Sequence, residues 1–175
     1  MAEPRDLLLY DGVCVACNWF TRFVVARDRV RRFRFAPLQS DVARTVLARH
    51  GHEARDLDTV YVVADEGTPR ERILAKSAAG LHVLTRLGWP WRASALLRLL
   101  PARLRDRLYD AFIRHRYRLF GRYETCPLPA PGEEGRFLGL PELRTAAGDD
   151  RSPRNEAAPP DGSCQPAGAR LKPPA

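Results

Sequence analysis

Apolar positions follow two different periods along the first ninety residues. Leu7-Leu8-Leu9-Tyr10 is a short unbroken apolar run closed by the turn pair Asp11-Gly12, and it reads as a buried strand. A helical pattern follows, with Cys17, Phe20 and Val24 on one face and Trp19, Phe23 and Ala26 beside them. Asp28-Arg29 and Arg31-Arg32 close it. Phe33-Arg34-Phe35 returns to period two and stops at Pro37, which has no N–H to give a sheet ladder. Ser40 is placed to cap a second helix, with Val42, Val46 and Leu47 inward and Gly51 as its stop. Thr59 to Val63, β-branched and aromatic, is the best strand in the chain. Asp65 to Pro69 turns the chain, and Arg72-Ile73-Leu74 is a weaker returning strand. Ser77 is placed to cap a third helix carrying Leu81, Leu84 and Leu87, stopped by Gly88 and Pro90.

Two more helices are expected, roughly Arg92 to Leu100 and Ala102 to Phe120. Pro, Gly, Ala and acidic residues dominate from about Pro131, and no hydrophobic period continues beyond Phe137 to Leu143. Ala146 to Ala175 carries too little apolar surface to offset its ordering entropy. The chain therefore divides into a folded domain with a helical extension, 1–130, and a tail, 131–175, expected to be largely disordered. It has no internal repeat.

Composition narrows the function classes. The 175 residues suffice for one core, and 45% of them are hydrophobic, so the chain is neither wholly disordered nor fibrous. No apolar run approaches the ~18 residues of a membrane span. Met1 to Asp6 is polar and Leu7 to Tyr10 is too short for a signal-peptide core, so the expected compartment is the cytoplasm. The net charge of +8 is almost all arginine, with lysine only at 76 and 172. An arginine-biased, bacterial-like composition with a solvated basic surface accounts for it; nucleic acid or an acidic membrane would also suit it.

In the cytosol a close pair of cysteines means redox chemistry or metal more often than a structural bridge. Cys14-Val15-Ala16-Cys17 stands where the first strand ends and the first helix begins. There the free N–H groups of the first turn face the Cys14 sulfur, and the helix dipole favours a thiolate. A dithiol at that junction, followed by strand, helix, strand, strand and helix, is the layout of a thioredoxin-like α/β domain, βαβαββα with added C-terminal helices. Spacing by i, i+3 lets Cys17 attack a mixed disulfide held on Cys14. Cys14 is expected at the exposed first turn as the attacking thiol, and Cys17, one turn inward, as the shielded resolving thiol. The dipole contributes about 0.3–1 kcal/mol, under one pKa unit, so direct hydrogen bonds or a nearby cation must add to it. Asp11 has two open readings: an exposed carboxylate that ties the turn, or a partly buried proton acceptor for Cys17 whose charge opposes a thiolate at Cys14.

Tyr10-Asp11-Gly12-Val13-Cys14-Val15-Ala16-Cys17-Asn18 resembles the signature of the DCC family of predicted thiol–disulfide oxidoreductases, named for its Asp-Cys-Cys pattern. Tyr109-Asp110, Arg114, Arg116-Tyr117-Arg118-Leu119-Phe120-Gly121-Arg122 and Cys126-Pro127-Leu128-Pro129 resemble that family's C-terminal block. The two matches span about residues 7 to 129. The resemblance implies a thioredoxin-like fold and disulfide exchange with Asp11, Cys14 and Cys17 at the site, and no particular substrate. No cofactor is expected, and the expected partner is a protein or small-molecule thiol or disulfide. Thioredoxin domains usually place a cis-proline just before the third strand; here Arg55-Asp56-Leu57-Asp58-Thr59-Val60 contains none.

Other chemistry-bearing residues have plainer readings beside their functional ones. Cys126 is either a third redox thiol or a small buried hydrophobe, the second being favoured. Cys164 lies in the tail. Zinc would need two more ligands at partner-like spacing; Cys126 and Cys164 do not supply them, and His50, His52, His82 and His115 are scattered, so no metal site is expected. Trp19 reads as packing. From Arg92 to Tyr123 nine arginines face only Asp106 and Asp110. Leu104, Leu108, Ala111, Phe112, His115 and Leu119 recur there at helical spacing, and this stripe is expected to pack on the domain. The alternative is a non-catalytic binding module that sets the 102–120 helix against an acidic membrane, or less readily nucleic acid.

Overall fold

Strand β1 (Arg5–Tyr10) is apolar at every position from Leu7 onward because both of its faces are covered. The structure, a computed structural model, describes residues 5–52, 59–123, 126–127, 129–140 and 171–172. The elements run β1, α1 (Val15–Arg27), β2 (Phe33–Pro37), α2 (Asp41–Arg49), β3 (Tyr61–Glu66), β4 (Arg72–Ala75), α3 (Lys76–Arg86), a 3-10 segment (Trp91–Leu99) and α4 (Ala102–Phe120). The four strands lie in the order β2-β1-β3-β4, with β2 parallel to β1 and β3 antiparallel to both β1 and β4. This mixed α/β arrangement is compatible with a thioredoxin-like core plus extra helices.

Side chains alternate across the sheet and build two cores. Leu7, Leu9, Ala36, Tyr61 and Val63 pack with Ala43, Val46 and Leu47 of α2 on one side. Leu8, Tyr10, Phe33, Phe35 and Val62 pack with Val24 of α1 and with Ala79 and Val83 of α3 on the other. At the open end of β1 the buried Asp6 accepts from the Asp65 amide at 2.9 Å and lies 3.0 Å from His82 Nε2. Ser40 caps α2, its Oγ accepting from the Ala43 amide at 3.2 Å.

Several expectations need correction. Ser77 does not cap α3: β4 feeds into the helix at Lys76 with no loop between, so Ser77 is already inside the first turn and donates its hydroxyl to Asp106 of α4. The stretch after Pro90 is 3-10 rather than α-helical. Trp19 is exposed and stacks on Phe23, with ring centroids 5.8 Å apart. Helix α4 forms over the expected residues but is turned round. Leu104, Leu108, Phe112 and Leu119 face solvent, while Tyr109, Ile113, Arg116 and Tyr117 face the domain.

After α4, Arg122–Tyr123 (β5) pairs with Leu171–Lys172 (β6). Residues 131–140, assigned to the tail on composition, run back along β2. Phe137 stacks on Phe35 at 4.9 Å, Leu138 donates its amide to the Phe35 carbonyl at 2.8 Å, and Arg136 pairs with the buried Asp28. The remainder of the tail, including Cys164, lies outside the described residues, as does most of the stretch before β3 that lacks a proline.

Candidate active site

The site forms where β1 gives way to α1. Gly12 makes the turn because a side chain has no room there: a Cβ would sit 2.8 Å from Cys126 Sγ and 3.2 Å from Pro37 Cβ. Asn18, one turn into the helix, donates to the Gly12 carbonyl at 2.7 Å and the Cys14 carbonyl at 2.9 Å, locking turn to helix. Cys14 occupies the N-cap with extended backbone, and its Sγ accepts from the Cys17 amide at 3.3 Å. A sulfur thus does the work that a Ser or Asp oxygen does at most helix starts.

The two thiols are set apart by what they bond to. Hydrogen bonding from the Cys17 thiol, then from the Cys17 amide, together with the charge of Arg116, brings Cys14 down to about 7 against burial and the opposing charge of Asp11. Cys17 is pushed far up, first by its hydrogen bond to Cys14 and then by burial and the Cys14 and Asp11 charges. Cys14 is the ionisable thiol of the pair.

Asp11 ties the turn as expected, but as a buried carboxylate and not the exposed one that reading supposed. Its Oδ1 accepts from the Val13 amide at 3.2 Å and from Gln39 Nε2 at 2.8 Å. Its Oδ2 accepts from Arg116 Nη2 at 3.1 Å and from the Tyr117 hydroxyl. Asp11 is 1% exposed and Arg116 0%, so this is a fully buried ion pair joining β1 to α4. The hydrogen bonds from Cys17 supply most of what the dipole lacks, and Arg116, 102 positions beyond Cys14, is the cation that adds the smaller share. Only the inward side of α4 could have pointed to it, and the apolar stripe pointed to the other side. Tyr109, also inward, accepts from the Val60 amide at 2.9 Å, a hydrogen atom that a proline at that place would not have.

The expectation of an exposed Cys14 is overturned. Cys14 is 0% exposed and Cys17 8%, because the chain after α4 crosses the dithiol: Cys14 bridges Arg122 and the Tyr123 amide donates to the Val13 carbonyl at 2.8 Å. Cys126 lies behind the turn, beside Gly12 and the buried Tyr10. Burial holds its thiol up at about 11 against the hydrogen bond from Tyr10. All three described cysteines are free thiols. Among the described residues no group of three or more His, Cys, Asp or Glu side chains is placed to hold a metal.

The model of the DCC1-like thiol-disulfide oxidoreductase family matches residues 8–122, from the first strand through the helix that carries Arg116. The chain belongs to this family. It is 33% identical over 135 residues to the uncharacterized protein YuxK of Bacillus subtilis, covering 77% of this chain and 95% of YuxK. It is 35% identical over 127 residues to a chloroplastic DCC family protein of Arabidopsis thaliana, covering 72% of this chain and 71% of that one. No solved structure gives a significant match. Membership of the DCC1-like family supports a redox function acting on thiols or disulfides, and it puts the Cys14–Cys17 turn and Arg116 inside one matched unit.

Proposed function

We propose that this DCC1-like chain is a thiol–disulfide oxidoreductase in which Cys14 attacks and Cys17 resolves. The observation that carries the reading is the asymmetry of the pair: Cys14 at about 7 with a hydrogen-bonded sulfur, Cys17 held protonated one helical turn away. Cys14 thiolate attacks one sulfur of a substrate disulfide and forms a mixed disulfide, and the other substrate sulfur leaves as a thiolate that takes a proton from water. Conversion of the Cys14 thiolate to a disulfide sulfur removes the hydrogen bond and the charge that keep Cys17 protonated. Cys17 then attacks Cys14 Sγ as its proton passes to the departing sulfur, so the second half of the substrate leaves as a thiol and the oxidised Cys14–Cys17 pair remains. A dithiol reductant returns both electrons.

Asp11 is assigned as the counter-ion that holds Arg116 and Tyr117 over the dithiol. Taking a proton from Cys17 would require it to give up one of four hydrogen bonds, and the Tyr117 hydroxyl is the one that can rotate away. The cytoplasm, where thiol reductants recycle such a pair, is the compartment this reading assigns.

Cys17→Ser should trap a mixed disulfide between Cys14 and a substrate, and Cys14→Ser should trap nothing. Redox titration of the whole chain with mass-spectrometric mapping should show a reversible Cys14–Cys17 disulfide. Its absence across the cytosolic range of potentials, or trapping on Cys17, would refute the assignment and leave the binding module without chemistry.

A further inference from the structure

The described residues expose eleven large apolar side chains, and nine of them fall between Trp89 and Phe120. On α4 this is a pattern, not scatter. At about 100° per residue, Leu104, Leu108, Phe112 and Leu119 occupy an arc of about 80°. Their exposures are 44%, 63%, 43% and 69%. Arg103, Arg107, Arg114 and Arg118, all exposed, fill the adjoining arc of about 60°. The two acidic residues of this stretch are tied to α3, Asp106 to Ser77 and Asp110, at the edge of the arginine arc, to Lys76. The outward face of α4 therefore offers leucine and phenylalanine beside a row of arginines that make no ion pair among the described residues. Trp89 and Leu99, each 84% exposed, extend the apolar set to the segment that leads into the helix.

We propose that this face docks on an anionic lipid bilayer, α4 lying in the plane of the headgroups with its leucines in the acyl boundary. Burial of a contiguous apolar stripe needs an apolar phase, and the arginine row needs negative charge beside that phase. A bilayer with anionic headgroups supplies both. Nucleic acid matches the arginines and leaves the leucines in water. A second copy of the chain matches the leucines and brings arginine rows together, with only Asp110 at the edge of the face, already paired with Lys76, to neutralise them. The dithiol lies under the opposite side of the same helix, so docking would fix its height above the membrane. The inference does not rest on the thiol chemistry, since the vesicle binding that tests it needs no reactive cysteine.

The test uses the full chain with vesicles of equal phosphatidylglycerol and phosphatidylcholine, and with pure phosphatidylcholine as control. Binding is expected on the anionic vesicles alone, weakening as salt rises, with a blue shift in tryptophan emission that Trp89→Phe largely removes. Arg107→Gln with Arg114→Gln should weaken binding about 25-fold, about fivefold for each arginine. Leu108→Ser with Leu119→Ser, both on exposed positions, should weaken it at least about tenfold and leave Cys14 alkylation unchanged. Four results would overturn the proposal: no vesicle binding, equal binding to pure phosphatidylcholine, binding to anionic vesicles or duplex DNA that the serine pair leaves intact, or a concentration-dependent dimer that the serine pair dissolves while vesicles go unbound.

Discussion

Replacing Arg116 by Gln tests whether the buried ion pair tunes the dithiol. The guanidinium is fully buried and 3.1 Å from Asp11, so the substitution leaves a carboxylate charge uncompensated next to Cys14. Loss of one nearby positive charge is worth about one pKa unit, or about 1.4 kcal/mol. The hydrogen bonds from Cys17 remain, so Cys14 should move from about 7 to about 8. At pH 7 the thiolate fraction then falls from about one half to about one tenth. The more basic thiolate is intrinsically about threefold more nucleophilic, so net alkylation at pH 7 falls only about twofold. Above pH 9.5, where both forms are ionised, the variant should react about threefold faster, so the two pH profiles cross. Stranding Asp11 should also cost about 3–5 kcal/mol of stability. Asp11→Asn combined with Arg116→Gln removes both charges and should recover most of that loss. It should also return Cys14 to about 7 or slightly below, because the Asp11 charge acts on Cys14 more strongly than the Arg116 charge. Iodoacetamide kinetics from pH 5 to 10, with urea melts, supply both readouts. An alkylation midpoint that stays put or falls in the single variant would refute the reasoning.

Tyr123→Pro removes the N–H that ties β5 to Val13 and should uncover Cys14, raising its alkylation rate several-fold with little change in midpoint; an unchanged rate would mean that β5 is not what shields it. Gly12→Ala should destabilise by about 1–3 kcal/mol, since its Cβ meets Cys126 Sγ at 2.8 Å, and Cys126→Ala in the same chain should relieve most of that in a thermal melt. Cys126 titrates at about 11 folded and near 8.5 unfolded, so the folded state binds its proton more tightly. Its contribution is complete below pH 8.5 and is lost as pH rises toward 11, on the order of 3 kcal/mol; Cys126→Ala should flatten that part of the stability–pH curve.

Much of the core and the dithiol were legible because their signals are local. Leu7 to Tyr10 as a strand buried on both faces, Ser40 as a cap and Cys14 at a strand–helix junction each follow from a few adjacent residues and their dihedral needs. The burial of Cys14 was not legible, because the segment that covers it lies more than a hundred residues away and pairs through backbone groups that carry no sequence signature. For the same reason Arg116 was invisible as a partner. Nothing in the ten residues around Asp11 says which of the chain's many arginines will reach it.

Helix α4 shows where the periodicity argument itself loses sense. A 3.6-residue repeat fixes the direction of the apolar stripe around the helix axis, and only the assumption that apolar means inward gives that direction a sign. The assumption holds where the neighbouring surface is apolar, as it is for α2 against Leu7 and Leu9. Against the dithiol turn the neighbouring surface carries a buried carboxylate, and leaving it uncompensated costs several kcal/mol. The helix therefore turns its Arg116 and Tyr117 to Asp11 and its leucines to the outside. Asp11 is met there by both Arg116 and Tyr117. A helix that inverts the usual pattern beside a buried acidic residue is thus evidence about that residue as much as about the helix.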